Sequence, residues 1–144
     1  MAVFLIDVNA LVYWMCPDSP WYDEVDAFAY RTLRRGDELC VSASSLNEAY
    51  YVLRKHYGAS DAAARGGLID VVDVFSVLPV DAGVVNAALV SDEPDYEDAV
   101  VRAMAEMNQV DGIVTYDQRA FRRSFVPART AREWSDCLGL DFES

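Results

Sequence analysis

The sequence predicts an α/β fold of three layers, with a mostly parallel central sheet between layers of helices. Apolar runs of strand length alternate along the 144 residues with longer segments of helical spacing. Such alternation is typical of a parallel sheet that is covered by helices. Residues 2–8 form an almost continuous apolar run, as expected for a central strand that is buried on both faces. Because no repeat, low-complexity tract or linker interrupts the pattern, we expect a single domain over residues 1–144.

After the first strand, we expect a helix over residues 21–35, which ends at Gly36 with two arginines in its last turn. A short apolar strand follows at residues 39–42. The next helix, residues 45–57, has its apolar residues on one face and ends at Gly58.

The second half of the chain continues the alternation. Residues 61–74 have a helical pattern that Gly66 and Gly67 weaken, and residues 75–80 are a strand candidate. Helices are expected at residues 81–90 and 95–108, and a strand at residues 112–115. A short helix near Ala120 and a short last strand at residues 125–126 complete the prediction. In such sheets ligands bind beyond the carboxyl ends of the strands, so functional residues are expected there.

Composition excludes several classes of protein. No run approaches the roughly 18 apolar residues of a membrane span, and no basic residue precedes the N-terminal apolar run, as a signal peptide would require. We therefore expect a cytoplasmic protein without a membrane segment. Cys16, Cys40 and Cys137 are odd in number and far apart, which favours reduced thiols over disulfides or a zinc site. A single histidine, His56, argues against a histidine-based metal site or catalytic triad.

The formal net charge of −12 is unusual for a nucleic-acid-binding protein. The charges are unevenly distributed, because residues 92–98 are strongly acidic and five arginines lie close together near the C-terminus. These are Arg119, Arg122, Arg123, Arg129 and Arg132. An acidic pocket that binds cations beside an arginine-rich rim would suit an RNA substrate. A solvated surface without function is the alternative.

Asp7 is the most informative candidate residue, because it follows the apolar run of the first strand. A carboxylate near the core needs a metal ion or hydrogen-bond donors. Asp7 capping the next helix, with help from Asn9, is the alternative.

Three further acids occupy comparable positions. Glu48 and Asp98 lie near the starts of predicted helices, and Asp117 follows the strand at residues 112–115. Each has a purely structural alternative: a capping box from Ser45 for Glu48, a helix whose cap is Asp95 for Asp98, and a cap of a short helix for Asp117. Together, four carboxylates at one sheet edge would need counter-charge, which Mg²⁺ supplies well. Two such ions roughly 4 Å apart would support phosphodiester cleavage.

The motifs that carry these acids resemble those of the PIN-domain nucleases, especially the bacterial toxin type (VapC-like). The similar segments are Phe4-Leu5-Ile6-Asp7-Val8-Asn9, Val41-Ser42 to Glu48-Ala49, Asp95-Tyr96-Glu97-Asp98-Ala99-Val100, and Ile113-Val114-Thr115-Tyr116-Asp117 with Phe121. The resemblance implies an α/β/α sandwich that binds Mg²⁺ or Mn²⁺ and hydrolyses single-stranded RNA. It also implies the site residues: Asp7, Glu48, Asp98 and Asp117 as catalytic metal ligands, Asn9 and Thr115 as supporting residues, and Asp95 as an outer contact. Arg119, Arg122 and Arg123 are candidates for RNA contact.

The resemblance to toxins implies a cognate antitoxin that lies across the site, and a homodimer. Tyr13, Trp14 and Trp21 are candidates for such a surface or for the core.

Two positions depart from the family pattern, because Val8 replaces a frequent threonine and Ala120 replaces a frequent acid. We therefore expect one tightly held ion, with a second recruited by RNA. A response-regulator receiver domain and a haloacid-dehalogenase-like phosphatase fit poorly: the only lysine is Lys55, and Asn9 stands where the phosphatase needs an aspartate. The remaining alternative is a PIN-like domain that binds RNA or protein with negligible cleavage.

Overall fold

The structure is a computed structural model and describes residues 1–140. The strands are β1 (Val3–Ile6), β2 (Glu38–Ser42), β3 (Ser76–Leu78), β4 (Gly112–Val114) and β5 (Ala128–Arg129). The helices are α1 (Val8–Met15), α2 (Tyr22–Arg34), α3 (Ala43–Lys55), α4 (Asp61–Val74), α5 (Ala82–Leu89), α6 (Tyr96–Met107) and α7 (Ala131–Leu138).

The five strands form one sheet in the order β3-β2-β1-β4-β5, and all neighbouring pairs are parallel. The central strand β1 is in register with both neighbours at its last residue, where Ile6 pairs with Val41 and Val114. The carboxyl ends of β1, β2 and β4 therefore lie at one edge of the sheet, and the chain segments that follow them start close together.

Helices cover both faces of the sheet. Phe4 and Ile6 of β1 face a core that contains buried residues of α1, α2, α3, α4 and α7. Leu5 points to the opposite face, where it packs with residues of α5 and α6, including Met104. The alternation follows from the strand period of two residues. The predicted three-layer α/β fold with a parallel central sheet is confirmed.

Two helices were not predicted from the sequence. Helix α1 is a short segment with mainly apolar residues, and its pattern resembles a continuation of the buried strand before it. Helix α7 begins with a capping box in which the Thr130 hydroxyl accepts from the Glu133 N–H and the Glu133 carboxylate accepts from the Thr130 N–H. This capping box is a sequence signal of a helix start that hydrophobic periodicity does not reveal.

The predicted strand at residues 125–126 is wrong, because the last strand is Ala128–Arg129. Its pairing depends on two backbone bonds to the neighbouring strand, from Ile113 N–H to the Pro127 carbonyl and from Thr115 N–H to the Arg129 carbonyl, each 2.9 Å. Residues 118–123 form turns where a short helix near Ala120 was predicted. In this part of the chain, hydrogen bonds to neighbouring segments determine the backbone conformation, and the local apolar pattern does not predict it.

Three observations bear on the class of protein. Cys16, Cys40 and Cys137 are free thiols. The single histidine, His56, is exposed at the C-terminal end of α3. Across residues 1–140, none of the helices has the length and apolar character needed to traverse a lipid bilayer.

Candidate active site at the carboxyl edge of the sheet

Asp7 lies where β1 ends and α1 begins. Its backbone N–H donates to the Val114 carbonyl at 2.9 Å, which continues the pairing of β1 with β4. One side-chain oxygen, Oδ1, accepts from the Val8 N–H at 2.9 Å, so Asp7 is also the N-cap of α1. The residue is only 3% exposed. The proposed capping role is therefore present, and it leaves the second oxygen, Oδ2, available for other partners.

Asn9 and Thr115 hold that second oxygen. The Thr115 hydroxyl donates to Asp7 Oδ2 at 2.9 Å, and the Asn9 amide group is 3.3 Å from both Asp7 Oδ2 and Thr115 Oγ1. The Asn9 carbonyl oxygen accepts from the Tyr116 N–H at 2.9 Å. The two residues expected to support the site thus contact Asp7 and link the starts of the segments after β1 and β4.

The electrostatic environment of Asp7 opposes its ionised form. Burial raises the pKa of Asp7 above its ordinary value, while the hydrogen bonds from Thr115, Val8 and Asn9 lower it and the negative charge of Asp117 raises it further. The balance remains a raised pKa. A carboxyl group in this state binds either a proton or a cation more readily than an exposed aspartate does.

Glu48 lies in the second turn of α3, on the side of the helix that faces the acids of α6. Helix α3 begins at Ala43 with Ser42 as its N-cap. The capping-box explanation of Glu48, which required Ser45 as the cap, is therefore wrong. Burial raises the pKa of Glu48 to about 7, and the negative charges of Glu97, Asp7 and Asp98 contribute to this rise.

Asp98 is the third residue of α6. Its backbone N–H donates to Oδ1 of Asp95, the N-cap of that helix, at 3.1 Å. Asp95 therefore caps the helix, as the structural alternative proposed. Burial raises the pKa of Asp98 to about 7, and the charges of Asp7, Asp95, Asp117 and Glu93 add to this effect. The favourable position near the helix N-terminus does not compensate for so many nearby negative charges.

Asp117 follows β4 in an exposed turn. Its backbone N–H donates to the Thr115 hydroxyl at 3.1 Å, and its Oδ1 accepts from the Arg119 N–H at 2.9 Å. The side chain thus closes a turn and does not cap a helix. Its charge contributes to the raised pKa of both Asp7 and Asp98. The fold therefore brings all four predicted acids into electrostatic contact.

The carboxylate oxygens of these acids are suitable ligands for hard divalent cations, but the side chains do not surround a common point. Carboxylate oxygens are the ligands that Mg²⁺ and Mn²⁺ prefer, and the mutual repulsion of these acids would be relieved by a cation. No three or more acidic, histidine or cysteine side chains in the part of the chain that the structure describes form a ready-made cluster around a common point. Coordination by all four acids would require side-chain rotation, and Mg²⁺ commonly binds through one or two carboxylates plus waters.

Two acidic residues beside the predicted set were missed. The Glu97 carboxyl group lies within hydrogen-bonding reach of Glu48 and raises its pKa. Glu93 is buried, and its Oε2 accepts from the Phe121 N–H at 3.1 Å while its Oε1 pairs with Arg102 at 3.4 Å. Both belong to the acidic block of residues 92–98, which was recognised in the sequence only as a run of charge.

The arginines near the site are partly engaged by the protein itself. Arg122 Nε donates to the Gln118 carbonyl at 3.0 Å, and Arg123 donates to the Asp92 carbonyl at 3.1 Å. Arg119 is exposed, and its backbone N–H bonds to Asp117. These contacts stabilise the loop after β4 and leave exposed cationic surface on each of the three residues.

Comparison with known proteins identifies relatives of the fold. The model of the PIN domain family matches residues 3–119. No curated protein matches the chain. Among solved structures, VapC20 of Mycobacterium tuberculosis, described as a Sarcin-Ricin loop cleaving toxin, is similar with a TM-score of 0.64 and 17% identity over 80% of this chain and 90% of that one.

Two further structures have the same fold. PAE2754 from Pyrobaculum aerophilum is 21% identical, covers 97% of this chain and 91% of its own, and has a TM-score of 0.67. VapBC2 from Rickettsia felis, bound to a DNA fragment from its promoter, is 14% identical over 88% of this chain and 96% of that one, with a TM-score of 0.61.

Proposed function

This chain belongs to the PIN-domain family, and from that premise we propose that it is a metal-dependent endoribonuclease of the cytoplasm. Its substrate would be single-stranded or loop RNA, and its reaction the hydrolysis of a phosphodiester bond. The observation that carries the proposal is the set of carboxyl groups at the sheet edge. Asp7, Glu48 and Asp98 all have raised pKa values because they are buried near one another, and the charge of Asp117 contributes.

We propose that Asp7, Glu48, Asp98 and Asp117 hold Mg²⁺ or Mn²⁺, with Asp95 as an outer contact. The ion would polarise the phosphodiester group and lower the pKa of a water nucleophile. The contribution of the protein is geometric and electrostatic. Asp7 is fixed by the Thr115 hydroxyl and the Asn9 amide, so its orientation does not depend on the ligand.

Glu48 and Asp98 supply the part of the site that changes protonation state. Because their pKa values are raised to about 7, each carboxyl group is protonated for a substantial fraction of the time near neutral pH. A nearby positive charge lowers the free energy needed to ionise either group. Cation binding would therefore release the protons that Glu48 and Asp98 carry. This exchange of protons for a cation makes the proposed activity pH-dependent.

Cleavage assays with a matched control test the enzymatic function. We would incubate the full chain with single-stranded RNA and Mg²⁺ and compare Asp7→Asn with Asp73→Asn, which changes an exposed aspartate of α4. Cleavage should require Mg²⁺, be lost in Asp7→Asn and persist in Asp73→Asn. Cleavage that ignores both EDTA and the Asp7 substitution would refute the proposal.

The number of bound ions is a separate question. Ala120 leaves the loop after β4 without the additional acid that many family members carry, so we propose one tight site, with a second ion recruited by RNA. Calorimetric titration with Mn²⁺ in the absence of RNA should give one tight binding event. Two tight sites would contradict this part of the proposal.

We also propose that the protein is the toxin of a toxin–antitoxin pair, covered at its site by an antitoxin, and that it forms a homodimer. Two of the similar structures are a toxin–antitoxin complex from Klebsiella pneumoniae and the VapBC2 assembly. An aromatic cluster supports a protein-binding surface: Trp21 is exposed and stacks on Tyr13 at 4.6 Å, and Tyr13 contacts Tyr116 at 5.2 Å. Trp14 instead packs against buried Phe75.

The adjacent reading frame tests the toxin assignment. A short protein with a basic, DNA-binding-like sequence would support it, and co-expression should then suppress RNA cleavage. Its absence would favour a role in RNA processing. Sedimentation of the purified chain would determine whether it is a dimer.

A binding module with negligible cleavage is the second candidate. It is favoured by Ala120 and by the finding that residues 1–140 contain no ready-made cluster of three metal-binding side chains. The same assay separates the two functions. RNA binding that persists in EDTA, without any Mg²⁺-dependent cleavage, would favour the binding module.

A further inference from the structure

A groove leads away from the acidic site between α3 and α6. Its volume is about 530 Å³, and Glu48 and Glu97 contribute to its wall, so the groove and the proposed active site share residues. Val100 and Val101 also line it. A molecule bound along this groove would therefore place one of its ends beside the carboxyl groups.

Two tyrosines line the groove and are largely open to solvent. Tyr51 is 67% exposed and Tyr96 is 49% exposed. The ring of Tyr51 packs edge-on against Tyr50 at 5.5 Å, and Tyr50 is anchored by a hydrogen bond to Asp61 of α4. This contact orients Tyr51 without covering it. Exposed aromatic rings beside a nuclease site are suited to stacking with bases, which any base can do through its π-face.

Lys55 places a positive charge on the same wall. The groove is lined by Lys55 and His56, which are the only lysine and the only histidine of the chain. Glu48, Tyr51 and Lys55 are spaced by three and four residues, which places them on one face of α3. Lys55 is seven residues beyond Glu48, about 10 Å along the helix axis. The wall therefore has a carboxylate near one end, an aromatic ring in the middle and an ammonium group at the other end.

This order of groups suits a chain of alternating bases and phosphates better than an uncharged apolar ligand. An apolar ligand would have no use for the ammonium group of Lys55. A strand of RNA would place a phosphate against Lys55 and bases against the tyrosines, while another phosphate reaches the cation-binding acids. In a chain of net charge −12, Lys55 gives this wall of the groove a cation that can pair with a phosphate.

We propose that the α3–α6 groove holds the RNA strand on its way to the acidic site, with bases stacked on Tyr51 and Tyr96 and a phosphate paired with Lys55. The inference rests on the proposed ribonuclease function and extends it to a substrate-binding subsite. It assigns the two tyrosines to binding and not to the chemical step.

The test measures cleavage of a labelled single-stranded RNA with Mg²⁺ by Tyr51→Ala and Tyr96→Ala in the full chain. Loss of one stacking contact should raise KM by about 5-fold or more with kcat little changed. Tyr51→Phe keeps the aromatic face and should behave like the unmodified protein. Tyr30→Ala is the matched control, because Tyr30 is a 58% exposed tyrosine on α2 outside the groove.

Salt dependence provides a second readout that a merely structural role would not change. RNA binding by Lys55→Ala, measured in the Asp7→Asn background to prevent cleavage, should be weaker and should show a shallower dependence on salt, by about one phosphate contact. Circular dichroism would verify that the variants remain folded.

The outcomes separate this inference from the proposed function. If the unmodified protein cleaves RNA and the KM values of Tyr51→Ala and Tyr96→Ala are unchanged, the groove assignment is wrong and the ribonuclease assignment stands. If these variants change sedimentation and not RNA affinity, a second protein chain occupies the groove and the inference is overturned. If the unmodified protein neither binds nor cleaves RNA, both proposals fail.

Discussion

Replacing Asp98 by asparagine should stabilise the protein in the absence of divalent cations. Asp98 is a partly buried carboxyl group near Asp7, Asp95 and Asp117, and these surroundings raise its pKa from 3.8 to about 7. Such a shift means that the folded state binds a proton more tightly than the unfolded state does. The ionised form of Asp98 therefore destabilises the fold, and asparagine removes that charge while it retains nearly the same shape.

The expected magnitude follows from the pKa shift. A rise from 3.8 to about 7 corresponds to an upper limit of about 4 kcal/mol. Because the side chain is partly exposed, solvent screening reduces this to about 1–2 kcal/mol. Loss of a negative charge in the first turn of α6 has an opposing effect of about 0.3–1 kcal/mol. The net gain in the free energy of unfolding should be about 1 kcal/mol.

The size of the stabilisation by Asp98→Asn depends on pH. Below the unfolded-state pKa of Asp98 the group is protonated in both states, so the substitution should have little effect there. Between about pH 4 and about pH 7 the unfolded state binds fewer protons than the folded one, so the destabilisation by Asp98 grows over this range. Above about pH 7 the group is ionised in both states and the destabilisation is constant. The advantage of Asp98→Asn should follow the same course.

Urea unfolding in EDTA at about pH 4 and about pH 8 would measure these differences. Asp73→Asn, an exposed substitution on α4, controls for the change in net charge. Adding Mg²⁺ at the higher pH should stabilise the unmodified protein more than Asp98→Asn. If Asp98→Asn is destabilising at about pH 8 in EDTA, the view that uncompensated negative charge accumulates at this site is wrong.

Three further predictions concern the residues around the site. Arg102→Ala should destabilise the protein by about 3 kcal/mol in urea unfolding, because it leaves Glu93, whose side chain is 2% exposed, without its cation; a change below about 1 kcal/mol would contradict this. Gly112→Ala should cost about 1–3 kcal/mol and alter the near-ultraviolet circular dichroism, because a Cβ at this position overlaps the ring of Trp134; an unchanged spectrum would argue against that contact. Thr115→Val removes the hydroxyl that holds the buried aspartate after β1 and should weaken Mn²⁺ binding about 10-fold or more by calorimetry; unchanged affinity would show that this hydroxyl does not position a metal ligand.

The architecture could be predicted because it depends on simple periodicity. The continuous apolar run around β1 identified a strand that is buried on both faces, and the alternation of strands with amphipathic helices identified the parallel sheet. Parallel register then brings the segments after β1 and β4 to one edge, so Asp7 and Asp117 were expected near each other. In the structure, Asp7 accepts hydrogen bonds from the Asn9 amide and the Thr115 hydroxyl.

Helix α7 was missed although its capping box is a local signal, whereas the other errors arise where non-local contacts determine the local structure. Helix α1 is short and apolar, so its sequence fits a strand as well as a helix, and only its packing between β1 and other helices decides. The last strand is defined by pairing with β4 and not by its own two residues. The roles of Glu93 and Arg102 depend on an ion pair and on a bond from Glu93 to the Phe121 backbone, 28 residues away. No local pattern contains that information.

The site combines two different kinds of carboxyl group, and this difference supports a cation-dependent function. Asp7 accepts bonds from Val8, Thr115 and Asn9, so its position is fixed and part of its charge is compensated. Burial and the charge of Asp7 raise the cost of ionising both Glu48 and Asp98, and Asp98 raises that of Glu48 further, without a comparable set of donors. If their only role were to stabilise the fold, uncharged side chains of the same shape would serve better, because ionised Glu48 and Asp98 oppose folding at neutral pH. A bound cation reverses that preference, since it makes each of these charges favourable. Without cations these acids should lower the free energy of unfolding, and Mg²⁺ should raise it again. Both measurements therefore report the same uncompensated negative charge at the site.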